Sequence, residues 1–473
     1  MAAERQWTRP RRVAILVCLV LSILASAGCT TFPMRSQQVW RSFSDYSYPT
    51  EEVGTPAFEA ALDRMTGSRA RPEHSARLLQ NGDEAYPAML ELINSAKSRI
   101  SLETYIVDKD ATTDRFFTAL KEAAARGVEV RVLVDAAGFR RGMVAQLDEL
   151  SRHGVQARVF NPFFFSWTVI RGNNRDHRKI LVVDGCHAIL GGINISDEQA
   201  GNGVSGWRDT SLLVSGSAAL DAEMVFAETW EQGGRGLVGK SLPLACLNPL
   251  KRLIDKPILG IRDASSSRGR FRPESCRERG ETAPAFEYQC SGATARVVAS
   301  APDRRNSATY DLAIVGINGA RERLDMSYAY FVPPLSVRRA ILRAAERGVR
   351  VRLLLPGVTD VRWVREIGMK FYGELLRAGV EIHEWPHPIL HAKTMAVDGK
   401  WLTVGSANMD GRSYFLNYEA NLAVTDAALA EEAHRRFEED LQSASRLTLE
   451  EWEARDMRQR LREVFLTPLA GQY

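Results

Sequence analysis

Arg126-Gly-Val-Glu-Val-Arg-Val-Leu-Val-Asp135 decides the fold, because the chain repeats it as Arg347-Gly-Val-Arg-Val-Arg-Leu-Leu-Leu-Pro356. Each copy opens on a glycine of the kind found just past a helix C-terminus, where positive φ carries no steric cost. Each then runs into an apolar strand pattern. Upstream of the first copy, Phe116, Leu120 and Ala123 share one helical face, and Val337, Ile341 and Ala344 do so before the second. Further back, Ile100-Ser-Leu-Glu-Thr-Tyr-Ile-Val107 and Leu324-Asp-Met-Ser-Tyr-Ala-Tyr-Phe-Val332 read as a matched pair of strands. Strand, helix, strand occurring twice predicts an α/β fold of two repeated halves, with largely parallel or mixed sheets and a pseudo-twofold axis. The halves span 75–235 and 290–445. Between them, 236–289 is rich in Gly, Ser, Arg and Pro and reads as a basic linker or surface insert. Residues 446–473 have helical periodicity, and this tail is expected to pack over the second half.

Each half carries one H-x-K-x4-D motif, His177 to Asp184 and His391 to Asp398. Residues i and i+2 of a strand point the same way, so His177 sits beside Lys179 and His391 beside Lys393. Asp184-Gly185 and Asp398-Gly399 then form turns, which suggests a supporting role for both aspartates. A returning strand delivers Asn194 and Asn408, each seventeen residues after its histidine. A phosphodiester needs cations and donors to neutralise its oxygens, an acid for the leaving alkoxide, and a nucleophile. Two lysines, two asparagines and two histidines meeting at the seam supply all of these without metal or other cofactor. A third group should accept the other N–H of each imidazole. Asp209 and Glu419 are the candidates, 32 and 28 residues after the histidine of their own repeats. One isolated H-x-K would be a surface accident; two in matching repeat positions, with the same residues following, are not. His74, His153, His187, His383, His387 and His434 lack such surroundings and read as structural or surface residues, His387 being the one to watch.

Composition excludes several classes. With 45% hydrophobic and 25% charged residues the chain is globular, and its net charge of +4 offers no strong field for nucleic acid. Arg5, Arg9, Arg11 and Arg12 precede an apolar run from Val13 to Ala27 of signal-peptide length, short of a bilayer-spanning helix. It ends in Leu24-Ala-Ser-Ala-Gly-Cys29, which resembles a lipobox and makes Cys29 a lipid anchor, although Ser26 stands where lipoproteins usually carry Leu. The alternative is an ordinary secretory signal or short uncleaved anchor. Residues 1–29 are thus a signal segment and 30–74 a tether and N-terminal extension. Export would let Cys246, Cys276 and Cys290 pair; no cysteine lies at zinc spacing. The aromatics of 161–167, Phe164 and Phe165 among them, fit the membrane interface or core packing equally.

Arg175-Asp-His-Arg-Lys-Ile-Leu-Val-Val-Asp-Gly185 and His391-Ala-Lys-Thr-Met-Ala-Val-Asp-Gly399 resemble the paired motifs of bacterial cardiolipin synthases in the phospholipase D superfamily. Asn81-Gly-Asp-Glu84, Glu103-Thr-Tyr105, Trp207-Arg-Asp209, Tyr330-Phe-Val-Pro333, Gly405-Ser-Ala-Asn408 and Thr467-Pro-Leu469 extend the likeness. The resemblance implies two phospholipase D-like halves with the active site at their interface. It implies metal-independent transfer of a phosphatidyl group from phosphatidylglycerol to a lipid alcohol through a phosphohistidine, with His177 as nucleophile and His391 as general acid. The partners it implies are anionic phospholipid and a membrane surface of the bacterial cell envelope, not nucleic acid. Two departures are the missing pair of N-terminal membrane helices and the unmatched insert at 236–289. A phospholipase D-type hydrolase or nuclease is the second reading; a non-catalytic lipid-binding envelope lipoprotein, which would not need paired histidines, is the third.

Overall fold

The repeated glycines adopt the conformation their position calls for. In the computed structural model, Gly127 and Gly348 have φ of 91° and 87°. Val128 and Val349 then donate back to the carbonyls of Ala123 and Ala344, closing their helices. The structure describes residues 48–138, 143–161, 174–232, 290–302 and 307–455. The segment 1–29 read as a signal, with Cys29, the aromatics Phe164 and Phe165, the insert at 236–289 and the chain after 455 lie outside these residues. Among the described residues, no helix is long and apolar enough to cross a membrane.

The first half contributes β1 (Arg71–Gln80), β2 (Arg99–Thr104), β3 (Glu129–Asp135), β4 (Gln156–Phe160), the two-residue β5 (Arg175–Asp176), β6 (Ile180–Val183), β7 (His187–Gly191) and β8 (Thr210–Ser215). The second contributes β9 (Cys290–Ser300), β10 (Arg323–Tyr328), β11 (Phe331–Val332), β12 (Arg350–Pro356), β13 (Glu381–Trp385), β14 (Lys393–Val397), β15 (Trp401–Gly405), β16 (Met409–Asp410), β17 (Asn417–Thr425) and β18 (Ser445–Leu447). Their order is β18-β13-β12-β10-β14-β15-β17-β9-β1-β8-β7-β6-β2-β3-β4 in one sheet. The order mirrors about the antiparallel β1–β9 pair: β2, β6, β7 and β8 correspond to β10, β14, β15 and β17. The outer strands β2-β3-β4 and β10-β12-β13 are parallel and the inner ones antiparallel, so the sheet is mixed.

Ile180, Val182, Leu190 and Leu212 of the first half are buried in one cluster with Ala396, Leu402, Val404 and Leu422 of the second. The halves therefore share a core, which holds the seam in place. The N-terminal extension enters this body. Thr55 caps the helix Pro56–Thr66, with proline pre-set in its first turn. Phe58 of that helix, fully buried, meets the Trp401 ring of the second half at 5.7 Å. At the other end Trp452 of the helix Leu449–Glu453 is buried against Tyr372, also in the second half. Cys186 is disulfide-bonded.

Candidate active site

Neither histidine lies within a strand, contrary to the simplest reading of its motif. His177 follows β5, and β6 begins only at Ile180; His391 precedes β14. The reason is that the backbone leaves its own half's ladder at this point. β5 pairs in parallel with β17, Asp176 opposite Tyr418, and His177 N–H donates to Tyr418 O at 2.9 Å. A matching bridge joins Arg208 to Leu390, and His391 N–H donates to Arg208 O at 2.7 Å. Each motif is thus stitched to the opposite half.

That stitching exchanges the orienting acids. Nδ1 of His177 lies 3.0 and 3.1 Å from the two carboxylate oxygens of Glu419, which belongs to the second half. Nδ1 of His391 lies 2.6 Å from Asp209 Oδ2, in the first half. Sequence spacing had placed each acid after the histidine of its own repeat; in the fold each serves the other one. The two acids have different neighbours. Glu419 also accepts from the Ser406 hydroxyl and, at 3.2 Å, from Asn417 Nδ2. Asp209 accepts from Thr210 N–H at 2.7 Å, while its own N–H donates to Asn81 Oδ1. Gly192 stands where the second repeat has Ser406, and any Cβ there would sit 2.1 Å from Asp209 Oδ1.

Lys179 Nζ donates to His177 O at 2.6 Å, and Lys393 Nζ donates to His391 O. Tyr105 meets the His177 ring edge-on at 5.1 Å and lies under the Lys179 ammonium, while Trp207 lies 5.0 Å from the His391 ring. Asn194 Oδ1 accepts from Ile106 N–H, leaving its buried Nδ2 without a hydrogen-bond partner; Asn408 Oδ1 is likewise buried and unmatched. Leaving a buried amide atom unpaired is costly.

The electrostatics join the two motifs into one site. Burial pushes His177 down to about 4; Glu419 opposes this and Lys179 and Lys393 reinforce it. Burial also lowers His391, helped by Lys393 and Lys179 and opposed by Asp209. Burial and Lys393 bring Lys179 down to about 7, and burial brings Lys393 to about 8. Lysines of both halves act on both histidines, so the two motifs share one electrostatic environment.

Asp184 and Asp398 stand apart from this group, at the far ends of β6 and β14. Asp184 accepts from the N–H groups of Lys97, Ser98 and Arg99; Asp398 accepts from those of Arg321, Glu322 and Arg323. Both occupy positive φ, 55° and 52°, and each acts as a collar for the turn that starts β2 or β10. Burial would raise the Asp184 carboxyl, but these donors hold it below the usual range. Of the remaining histidines, His434 binds Asp325 through Nδ1 and accepts from Gly399 N–H through Nε2, a structural tie. His387 contacts the Trp385 ring at 5.0 Å. Sequence reasoning missed Arg178 and Arg208, both buried. Arg208 is bidentate to Asp440 and its backbone carbonyl holds His391; their signal was adjacency to His177 and Asp209. Among the described residues no His, Cys, Asp and Glu cluster could hold a metal ion.

A duplicated α/β body with a histidine–lysine set from each half at the seam defines the phospholipase D superfamily. The family model for "Cardiolipin synthase, PLD-like domain" matches residues 89–223 and 314–441. The cardiolipin synthase of Clostridium perfringens (strain SM101 / Type A) is 31% identical over 385 residues, covering 81% of this chain and 74% of its own. That of Geobacillus kaustophilus is 31% identical over 388 residues, covering 82% and 70%. The crystal structure of phosphatidylserine synthase from Haemophilus influenzae Rd KW20 shares the fold, with a TM-score of 0.61 at 14% identity, over 88% of this chain and 97% of that one. The chain belongs to the cardiolipin synthase family of phospholipase D-like proteins, and it is an enzyme of the phospholipase D type.

Proposed function

We propose that the enzyme transfers a phosphatidyl group from phosphatidylglycerol to the hydroxyl of a second lipid, through a phosphohistidine on His177. The observation that carries this reading is the crossed arrangement itself: two imidazoles, each fixed at Nδ1 by a carboxylate of the other half, beside two lysines. Fixing Nδ1–H leaves Nε2 of His177 as a lone pair, and a pKa near 4 keeps it unprotonated at neutral pH. Nε2 attacks phosphorus, the P–O bond to the departing glycerol breaks, and His391 gives its Nε2 proton to that oxygen. Asp209 at 2.6 Å supports the imidazolium form of His391 that this step needs. In the return step the acceptor hydroxyl gives its proton to His391 as its oxygen attacks phosphorus, and the P–N bond breaks. Lys179, Lys393, Asn194 and Asn408 hold the phosphoryl oxygens in both steps. Because the intermediate is covalent, transfer and hydrolysis differ only in whether an alcohol or water reaches it.

The same reading places the enzyme on the bacterial envelope membrane, tethered through Cys29. Purified protein is incubated with phosphatidylglycerol liposomes in chelator and the lipids are analysed. Cardiolipin with free glycerol is the expected product pair; phosphatidate instead would make it a hydrolase. Lipid left intact alongside turnover of a nucleic acid would make it a nuclease. His177→Ala should abolish covalent labelling by a phosphate-labelled donor, and labelling that persisted would reverse the assignment of nucleophile.

A further inference from the structure

The residue before each orienting acid reaches across the seam. Arg208 precedes Asp209 and Tyr418 precedes Glu419, and each gives its backbone carbonyl to the N–H of the opposite half's histidine. Their side chains then run to the long helix of that opposite half. Tyr418 Oη donates to Gln232 Oε1 at 2.6 Å, on the helix Ser217–Gln232 that follows β8. Arg208 meets Asp440 on the helix Ala427–Ser443, which follows β17: Nε donates to Oδ1 at 2.9 Å and Nη2 to Oδ2 at 2.6 Å. The two ties differ in kind. Gln232 is exposed and its bond is neutral, whereas Arg208 and Asp440 are both buried and joined by two charge-assisted bonds.

The charged tie acts on the backbone that carries Asp209. Arg208 Nη1 turns back to donate to Asp209 O and Thr210 Oγ1, both at 2.8 Å. The Asp209 carbonyl also accepts from Asn81 N–H at 2.9 Å, and the Arg208 carbonyl accepts from His391 and Ala392 N–H at 2.7 and 3.2 Å. Arg208 N–H in turn donates to Ile389 O at 2.8 Å. Of these holders only the guanidinium depends on a charge partner, because a buried cation stays in place only while its charge is matched. The other charges lining the small cavity beside the pair have partners of their own: Arg436 pairs with Glu84, and Asp325 with Arg352 and His434. Asp440 is therefore the anion that keeps Arg208 closed on Asp209.

We infer that Asp440 is a positioning residue for His391: through Arg208 it fixes the peptide that aims the Asp209 carboxylate at the imidazole. The path closes on itself. It leaves the second half at His391, passes through Asp209 and Arg208 of the first, and returns to the second at Asp440. The 2.6 Å contact between Asp209 Oδ2 and His391 Nδ1 leaves little room for error, and Asp209 swings with the Arg208–Asp209 peptide. Asp440 touches no reacting atom. A displacement of about 1 Å at the histidine it serves would cost on the order of a hundredfold in rate. The role rests on the reading of His391 as the group that delivers the proton to the leaving oxygen.

The test uses the full-length protein, phosphatidylglycerol liposomes and a second, phosphate-labelled donor whose leaving group needs no proton. Asp440→Ala should lower kcat on phosphatidylglycerol by up to about a hundredfold with little change in KM, yet label the protein from the second donor within a few-fold of wild type. Asp440→Asn, which keeps one acceptor for the guanidinium, should show the same signature in milder form if Asp440→Ala folds poorly. A double variant, Arg208→Met with Asp440→Leu, separates positioning from mere stability. Replacing a buried ion pair by apolar groups restores stability, so its Tm should recover while kcat stays low, because the bond to Asp209 O is gone. A readout that needs no lipid is the titration of His391 by NMR of 15N-labelled histidine. Asp209 raises this group against burial, Lys393 and Lys179, so a loosened contact in Asp440→Ala should move its midpoint to lower pH. Equal losses with both donors, recovery of kcat together with Tm in the double variant, or an unmoved His391 midpoint would overturn the positioning role. If the midpoint moves but wild type forms no lipid product, the substrate reading fails and the role of Asp440 stands.

Discussion

The crossed acids make Glu419→Gln the most informative substitution. In shape it is mild. The amide oxygen of the new side chain can still accept from His177 Nδ1–H, and Ser406 remains beside it. What is lost is the charge, which in the folded site raises both His177 and Lys179 against burial. His177 would fall below its present value near 4, the positive charge that develops on its ring during attack would go uncompensated, and Lys179 would lose protonation below pH 7. Loss of an orienting carboxylate with geometry kept costs between about a hundredfold and ten-thousandfold in kcat. The assay is covalent labelling by a phosphate-labelled donor, followed by product release. Glu419→Gln should behave as a His177 defect, with slow labelling. Asp209→Asn should behave as a His391 defect, also reducing proton delivery, yet be rescued in labelling by a donor whose leaving group needs no proton. A Glu419→Gln enzyme that is rescued by such a donor while Asp209→Asn is not would show that each acid serves the histidine of its own repeat. The crossed-site reasoning would then be refuted.

Three further outcomes follow from the same structure. Asp184→Asn keeps one acceptor oxygen but replaces the other, which accepts from Lys97 N–H, with a donor, and should cost about 1–3 kcal/mol of stability, seen in denaturant unfolding, with kcat nearly unchanged in the folded fraction. Lys179 and Lys393, near 7 and 8, are cationic below those values, so KM for the lipid should rise as pH climbs from 7 to 8; a flat profile across that range would contradict their role. Phe58→Ala should destabilise the protein by about 3–5 kcal/mol because the ring fills the contact with Trp401; a negligible change in Tm would mean that residues 48–70 are only a tether.

The duplication, the mixed α/β halves, and the His177–Lys179 and His391–Lys393 sets were legible in the sequence alone. Each is a local pattern: helical and strand periodicity, glycines at helix ends, an Asp-Gly turn. Local backbone preference expresses such patterns directly. The supporting role of Asp184 and Asp398 was legible for the same reason, since the turn each one occupies is written in its own Asp-Gly pair. Which acid faces which histidine was not. That depends on β5 pairing with β17 and on the Arg208–Leu390 bridge, contacts between residues more than 180 positions apart, for which spacing within a repeat is no guide.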